Sequence, residues 1–273
     1  MPIDITTDKS DVNFTIHNQI ASIIINRPGA HNALNLAVTD RLLEILQELN
    51  KMPSVRVVIL KTSGKNFCAG ADLDWMQQAE QAPPLTNDSI ALKLATLMDT
   101  LYRLNKATIA LVQGAVIGGG VGLVCCCDLV LATPDAHFCC PEVRLGLIPA
   151  TISPYVINAI GARATKRYFL SAETFSAKKA VDLGLVHKIL PQNEWPDYIK
   201  KWSGHITTAG PQAIARTKQL INDVAHSQLN AALIYQTAEW LLEVQSSAEA
   251  QEGITAFQEN RPARWVHAPQ KKS

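Results

Sequence analysis

From Ala107 to Cys127 the chain reads ATIALVQGAVIGGGVGLVCCC, with no charged residue between Lys106 and Asp128. An uncharged apolar run of this length is either a membrane span or backbone buried on every side. The five glycines inside it, Gly114, Gly118, Gly119, Gly120 and Gly122, argue against a span. They favour a buried strand over Thr108–Val112, a glycine-rich turn, then a buried helix over Val121–Cys127. Where such a turn opens a helix, backbone N–H groups point outward without intrahelical partners, and the helix dipole adds partial positive charge. An oxygen that becomes negative during a reaction would be stabilised there. Close packing of the helix explains the same glycines equally well from these residues alone.

Phosphate cradles do not fit. A G-x-G-x-x-G pattern from Gly118 and Gly120 needs a glycine where Leu123 stands, and Ser63-Gly64-Lys65 is followed by Asn66 without the P-loop glycine upstream. The net charge of +1 over 273 residues gives no general attraction to nucleic acid or anionic membranes. Acidic residues in MPIDITTDKSD stand where a signal peptide would be basic and then apolar. The six cysteines, Cys68, Cys125, Cys126, Cys127, Cys139 and Cys140, form no C-x-x-C pair. They read as small buried side chains in a reducing compartment, so a cytoplasmic protein without metal is expected.

Taken in order, the pattern predicts strands over Asn13–His17, Ala21–Asn26 and Val55–Leu60, with a helix over Leu36–Leu49 capped by Asn35 or Asn32. Gly64 and Gly70 punctuate a second turn, after which Asp72 is placed to cap a helix over Leu73–Gln78. A loop over 81–88, a helix over Ser89–Leu104, and strands over Leu129–Ala132 and His137–Cys139 follow. From Ser153 the chain reads as wholly helical, with segments near 153–160, 163–171, 175–183, 194–208, 210–226, 229–246 and 248–259. Repeated strand-then-helix units imply a mostly parallel sheet covered by helices. A soft boundary near residue 200 divides a core (1–200) from a helical region (201–273). Glu142, between Pro141 and Val143, reads from its neighbours either as a proton-transfer carboxyl or as an ion-pair partner of Arg144 or Arg27.

The motifs NRPGAHNALN (Asn26–Asn35), NFCAGADL (Asn66–Leu73), GAVIGGGVGLVCCCDLVLA (Gly114–Ala132) and FCCPEVRLGLIP (Phe138–Pro149) resemble the crotonase, or enoyl-CoA hydratase/isomerase, superfamily. YFLSAETFSAKKAVDLGLVHKIL and EGITAFQENR extend the likeness over almost the whole chain. The resemblance implies an α/β spiral of ββα units with a helical C-terminal region that assembles trimers, often paired into hexamers. It implies an acyl-CoA thioester substrate, with coenzyme A part of the substrate and no separate cofactor. Two backbone amides, from Ala71 and Gly119, would hold the thioester oxygen, and Glu142 would be the catalytic carboxyl. Substrate contacts would come from Ala30, Ala69, Gly70 and Asp72 on the first loops, and from Gly118 and Gly122 on the glycine turn. Phe257 and Arg261 would reach the coenzyme A of a neighbouring subunit.

The sequence departs from that pattern in three places. Gly122 stands where the best-known hydratases carry a second glutamate, Gly29 where many relatives place a phosphate-binding lysine, and Asn260 where a lysine often follows the phenylalanine. With one carboxylate missing, water would be held by Glu142 alone, by Asp74 or Glu80 swinging in, or by the substrate. AGADLDWMQQ, GLIPATISPYVINAIGARATKRYFLSAE and SAEAQEGITAF look most like bacterial methylglutaconyl-CoA hydratases of leucine breakdown, also labelled carboxygeranoyl-CoA hydratases. The expectation is therefore a hydratase of a short or branched enoyl-CoA, with an enoyl-CoA isomerase as the alternative. RNA binding, known for an animal relative, lacks a basic stripe here, and serine hydrolysis lacks a G-x-S-x-G elbow.

Overall fold

The computed structural model describes residues 11–72, 89–225 and 227–266. The expected Leu73–Gln78 helix, the 81–88 loop, Asp74 and Glu80 lie outside the described residues. Strands β1 (Val12–His17), β2 (Ile20–Ile25), β3 (Val57–Thr62), β4 (Ala107–Val112), β6 (Leu129–Ala132) and β9 (Lys188–Ile189) form one sheet in the order β1-β2-β3-β4-β6-β9. It is antiparallel at β1–β2 and parallel at every other pairing. A second sheet, β5 (Ala115–Ile117), β7 (His137–Cys139) and β8 (Phe175–Ser176), is extended by single bridges between Cys68 and Val116 and between Leu34 and Ala71.

The chain thus winds as a spiral. Each turn lays one strand in the large sheet, one extended segment in the second layer, and then a helix. β2 leads through Leu34 to α1 (Leu36–Lys51), and β4 leads through β5 to α3 (Gly119–Cys125). β3 leads through Cys68–Ala71 toward α2 (Ile90–Tyr102), and β6 through β7 to a 3-10 turn at Glu142–Leu145 and α4 (Ser153–Ser171).

Burial of both faces explains why β4, β6 and the first four residues of β3 carry no charge. On β3, β4 and β6, Val58, Leu60, Ala110, Val112, Val130 and Ala132 join the core between the sheet and the spiral. Val57, Ile59, Ile109, Leu111, Leu129 and Leu131 face the other way, where α6 (Trp195–Thr208) covers them with Trp195, Tyr198, Ile199, Trp202 and Ile206. Buried Arg56, the one charge in the predicted third strand, donates to the carbonyls of Ile206 (3.1 Å) and Ala209 (2.6 Å) at the end of α6. A cation there meets the partial negative charge that the last carbonyls of a helix carry.

Asn35 caps α1, its side chain accepting from the Val38 amide at 2.9 Å. The helix after the glycine turn begins at Gly119, two residues earlier than its first β-branched residue suggests, and β5 occupies part of what reads as turn. The region after Ser153 is not wholly helical: β8 and β9, two residues each, continue the two sheets. Strands this short leave no alternation to read. Gly161, at φ 76° and ψ 155°, kinks α4 between the two segments predicted there. Residue 200 falls inside α6, which belongs to the sheet's outer face. α5 (Ala177–Asp182) precedes β9, and α7 (Pro211–Ala225), α8 (Ala231–Gln245) and α9 (Ala248–Gln258) follow α6.

Candidate active site

The two glycine turns and Glu142 meet at one place. Cys68 pairs with Val116, the Ile117 amide donates to the Cys68 carbonyl at 2.8 Å, and Gly118 donates to the Cys139 carbonyl at 2.9 Å. A Cβ added to Gly118 would lie 2.8 Å from Oε1 of Glu142 and 3.9 Å from the Cα of Gly70. Gly118 also has φ +48°, a left-handed conformation that only glycine adopts without strain, so this position needs glycine twice over. Behind the turn, Cys68 packs under Gly120, and burial pushes its thiol up to about 11. It is a packing residue, not a nucleophile.

The Ala71 and Gly119 amides have no hydrogen-bond partner among the described residues. For Ala71 the ladder explains why. Leu34 donates to the Gly70 carbonyl and accepts from the Asp72 amide, both at 2.8 Å, so the Ala71 N–H between them points away from Leu34. Gly119 opens α3, where no carbonyl precedes it in helical register. The Leu34 side chain reaches toward this second amide, its Cδ1 standing 3.1 Å from where a Cβ on Gly119 would be. One residue therefore touches both turns.

Glu142 opens the 3-10 turn Glu142–Leu145. Its Oε2 is buried with no hydrogen-bond partner among the described residues, and burial raises the carboxyl above the ordinary range, opposed in part by its own backbone N–H. The ion-pair reading of this residue fails. Arg144 donates to the Ala172 carbonyl at 2.9 Å, and Arg27 binds Asp11 and Asp72. Among the described residues this desolvated carboxyl has no counter-ion, which is the setting that moves a carboxyl's pKa toward the range used in proton transfer.

Other predicted site residues fall differently. Gly122 is buried against the core. A Cβ there would meet Ile152 Cγ2 at 2.3 Å and Met98 Sδ at 3.1 Å, so hydrocarbon fills the place of any side chain at 122. The Asp72 carboxylate is engaged by both terminal nitrogens of Arg27 at 3.1 Å. Ala30 and Ala69 border one another's loops, the Ala69 amide donating to the His31 carbonyl at 3.0 Å. Asn32 is wholly buried and is no helix cap. It accepts from the Arg27 amide (2.9 Å) and donates to the carbonyls of Ser63 and Asn66 (2.8 Å each), lacing the two loops together. Phe257 on α9 is 84% exposed, so core packing does not explain it. Arg261 is committed to Glu252 (2.7 Å) and Glu259 (2.6 Å) within its own chain. Among the described residues no His, Cys, Asp and Glu cluster could hold a metal ion, and no helix is long and apolar enough to cross a membrane.

The family described as enoyl-CoA hydratase/isomerase matches residues 15–268. The chain belongs to that family. Within it, the chain is 32% identical to the crotonyl-CoA hydratase of Syntrophomonas wolfei over 253 residues, covering 91% of this chain and 95% of that protein. It is 29% identical to the 2,3-dehydroadipyl-CoA hydratase of Escherichia coli, covering 92% and 97%. An enoyl-CoA hydratase structure from Shewanella pealeana superposes with a TM-score of 0.90 at 36% identity, covering 94% and 96%. The spiral described above is the crotonase fold, as the motifs implied.

Proposed function

We propose that this enoyl-CoA hydratase/isomerase family member adds water across the 2,3 double bond of a short or branched enoyl-CoA. A methylglutaconyl-CoA-like acyl group is the favoured substrate, and leucine or isoprenoid-acid breakdown the setting. The observation that carries the reading is the Glu142 carboxyl, buried and without an ion pair among the described residues, beside Gly118 and Gly70 on the two turns that carry the unpaired Ala71 and Gly119 amides. In this scheme the carboxylate removes a proton from water as the water oxygen bonds to C3. The electron pair of the double bond moves onto the thioester oxygen, which the Ala71 and Gly119 amides hold. Glu142 then returns the proton to C2. Each preorganised donor is worth about 3–4 kcal/mol of transition-state stabilisation. The laced loops around Ala30 and Ala69 supply the wall for coenzyme A, which arrives with the substrate. The six thiols, all free, accord with a reducing cytoplasm, and a trimer or hexamer is the proposed assembly.

One observation favours a second reading. With Ile152 and Met98 filling the space over Gly122, a single carboxyl serves the site among the described residues, and one carboxyl suffices to carry a proton from C2 to C4. The two readings separate in one assay. A hydratase removes the ultraviolet band of a conjugated 2-enoyl-CoA, whereas an isomerase creates that band from a 3-enoyl-CoA. We expect loss of the band, abolished by Glu142→Gln, with methylglutaconyl-CoA turned over faster than crotonyl-CoA in a substrate panel. Appearance of the band from 3-enoyl-CoA without hydration would select the isomerase.

A further inference from the structure

Resting on that reading, we propose that Arg27 and Asp72 are positioning residues that fix the direction of the Ala71 amide. Ala71 is itself exposed and follows Gly70, whose φ is +94°, so packing restrains this stretch of backbone little. A closed polar frame restrains it instead. Arg27 Nη1 donates to the Ala33 carbonyl at 2.7 Å and to Asp72 Oδ2 at 3.1 Å, and Nη2 donates to the same oxygen at 3.1 Å. Between those two anchors lie the bonds from the Leu34 amide to Gly70 and from the Asp72 amide to Leu34, one on each side of Ala71.

The guanidinium therefore closes a ring through residues 33, 34, 70, 71 and 72, with the oxyanion donor at its apex. Arg27 is held in turn, its Nε by Asp11 at 2.9 Å and its own amide by Asn32 at 2.9 Å. Arg27 and Asp72 have side chains only 16% and 18% exposed, so the pair is not a freely solvated surface contact. The planar guanidinium grips Ala33 and Asp72 through Nη1, Asp72 again through Nη2 and Asp11 through Nε in one fixed geometry, and a lysine ammonium, a rotating point charge on a flexible stem, loses that rigid fork and the bond made by Nε. Asp72, which the motif resemblance places among the substrate contacts, acts here through Ala71.

The test uses the intact enzyme with Arg27→Lys and Asp72→Asn, each made alone and in a Glu142→Gln background. Two quantities are read: kcat and KM for hydration, and the red shift of an aryl-conjugated enoyl-CoA when its carbonyl oxygen accepts hydrogen bonds in the Glu142→Gln site. A displaced oxyanion donor should lower kcat by about 100-fold with KM little changed. The red shift should shrink in the same two variants. A raised KM at unchanged kcat in Asp72→Asn alone would mean that Asp72 touches substrate, and would overturn the proposal. So would an undiminished red shift in both variants, including one where activity falls only with the folded fraction seen by thermal melting. If the unaltered enzyme neither hydrates nor shifts the chromophore, the functional reading itself fails. If it does both and the variants do too, the positioning role alone fails.

Discussion

Glu142 is a carboxyl whose environment works against its own charge. Burial raises its pKa above the ordinary range, so the folded chain binds this proton more tightly than the unfolded chain. The stability it contributes is present below the unfolded value and is lost as pH rises through the folded one. At neutral pH the ionised residue is thus a burden that glutamine removes. Glu142→Gln should abolish hydration yet raise Tm at pH 7, by about 2–4 °C for each kcal/mol of desolvation relieved, with the gain vanishing at acid pH. Melting curves across pH check this; a lower Tm at pH 7 would contradict the burial argument. The base must be ionised, so kcat/KM should fall as pH drops through a value above the ordinary carboxylate range. Glu142 was legible through its motif, but its freedom from ion pairs was not, because both candidate arginines could be assigned only once their acceptors, Ala172 and Asp72, were placed. Arg27 read as a candidate ion-pair partner of Glu142; its grip on Asp72 spans a sequence separation of 45 that no local pattern encodes.

Among the elements, the central strands were the most legible, because burial on both faces removes charge from the sequence. β5 was hidden, since its three residues sit among glycines and pair with Cys68 and with His137–Cys139, all outside its own local sequence. The α3 start was misplaced for a related reason: glycine is a poor helix former, and here tertiary packing, not propensity, makes the helix. Gly122 puts that to the test. In a free helix, glycine to alanine stabilises by about 1 kcal/mol. In α3 the new Cβ would stand 2.3 Å from Ile152 Cγ2, on a branched side chain only 2% exposed. Overpacking of this kind outweighs the propensity gain, so Gly122→Ala should destabilise by about 1–3 kcal/mol in denaturant titrations. Combined with Ile152→Ala, the loss should be smaller than the sum of the two single losses, because the second change makes room for the first. Stabilisation by Gly122→Ala alone would show that Ile152 yields freely. The space over the glycine would then be available to a side chain after all.

At the scale of the molecule, the spiral is closed but the helices beyond it are not. α7 is tied to the core by Lys218, which donates to the Lys106 carbonyl (2.9 Å) and to Asp128 (2.8 Å). α8, by contrast, buries only Leu233, while Ile234, Tyr235, Leu241 and Leu242 are 58–68% exposed. Ile221 on α7, Leu229 in the loop before α8 and Phe257 on α9 are also exposed, at 59%, 84% and 84%. The hydrophobic positions of α8 were easy to read as helical, but the sequence pattern gives their spacing and not which copy of the chain receives them. Single exposed leucines need no explanation, whereas exposed apolar side chains gathered over successive helices and the loop between them are the kind of surface that docks on another protein. The functional proposal assigns it to other copies of the chain. Light-scattering mass should then be a multiple of the 29.8 kDa protomer across dilution. Leu242→Glu places a charge in the middle of that face, and burying it unpaired is prohibitive. The variant should therefore sediment as smaller species while keeping the circular-dichroism signal of the spiral, whose core α8 barely enters. Hydration should fall with the assembly if Phe257 acts across the interface, because among the described residues this ring stands 84% exposed. A variant that stays assembled, or an unaltered protein that runs as a protomer at all concentrations, would leave the exposed face of α8 to some other partner.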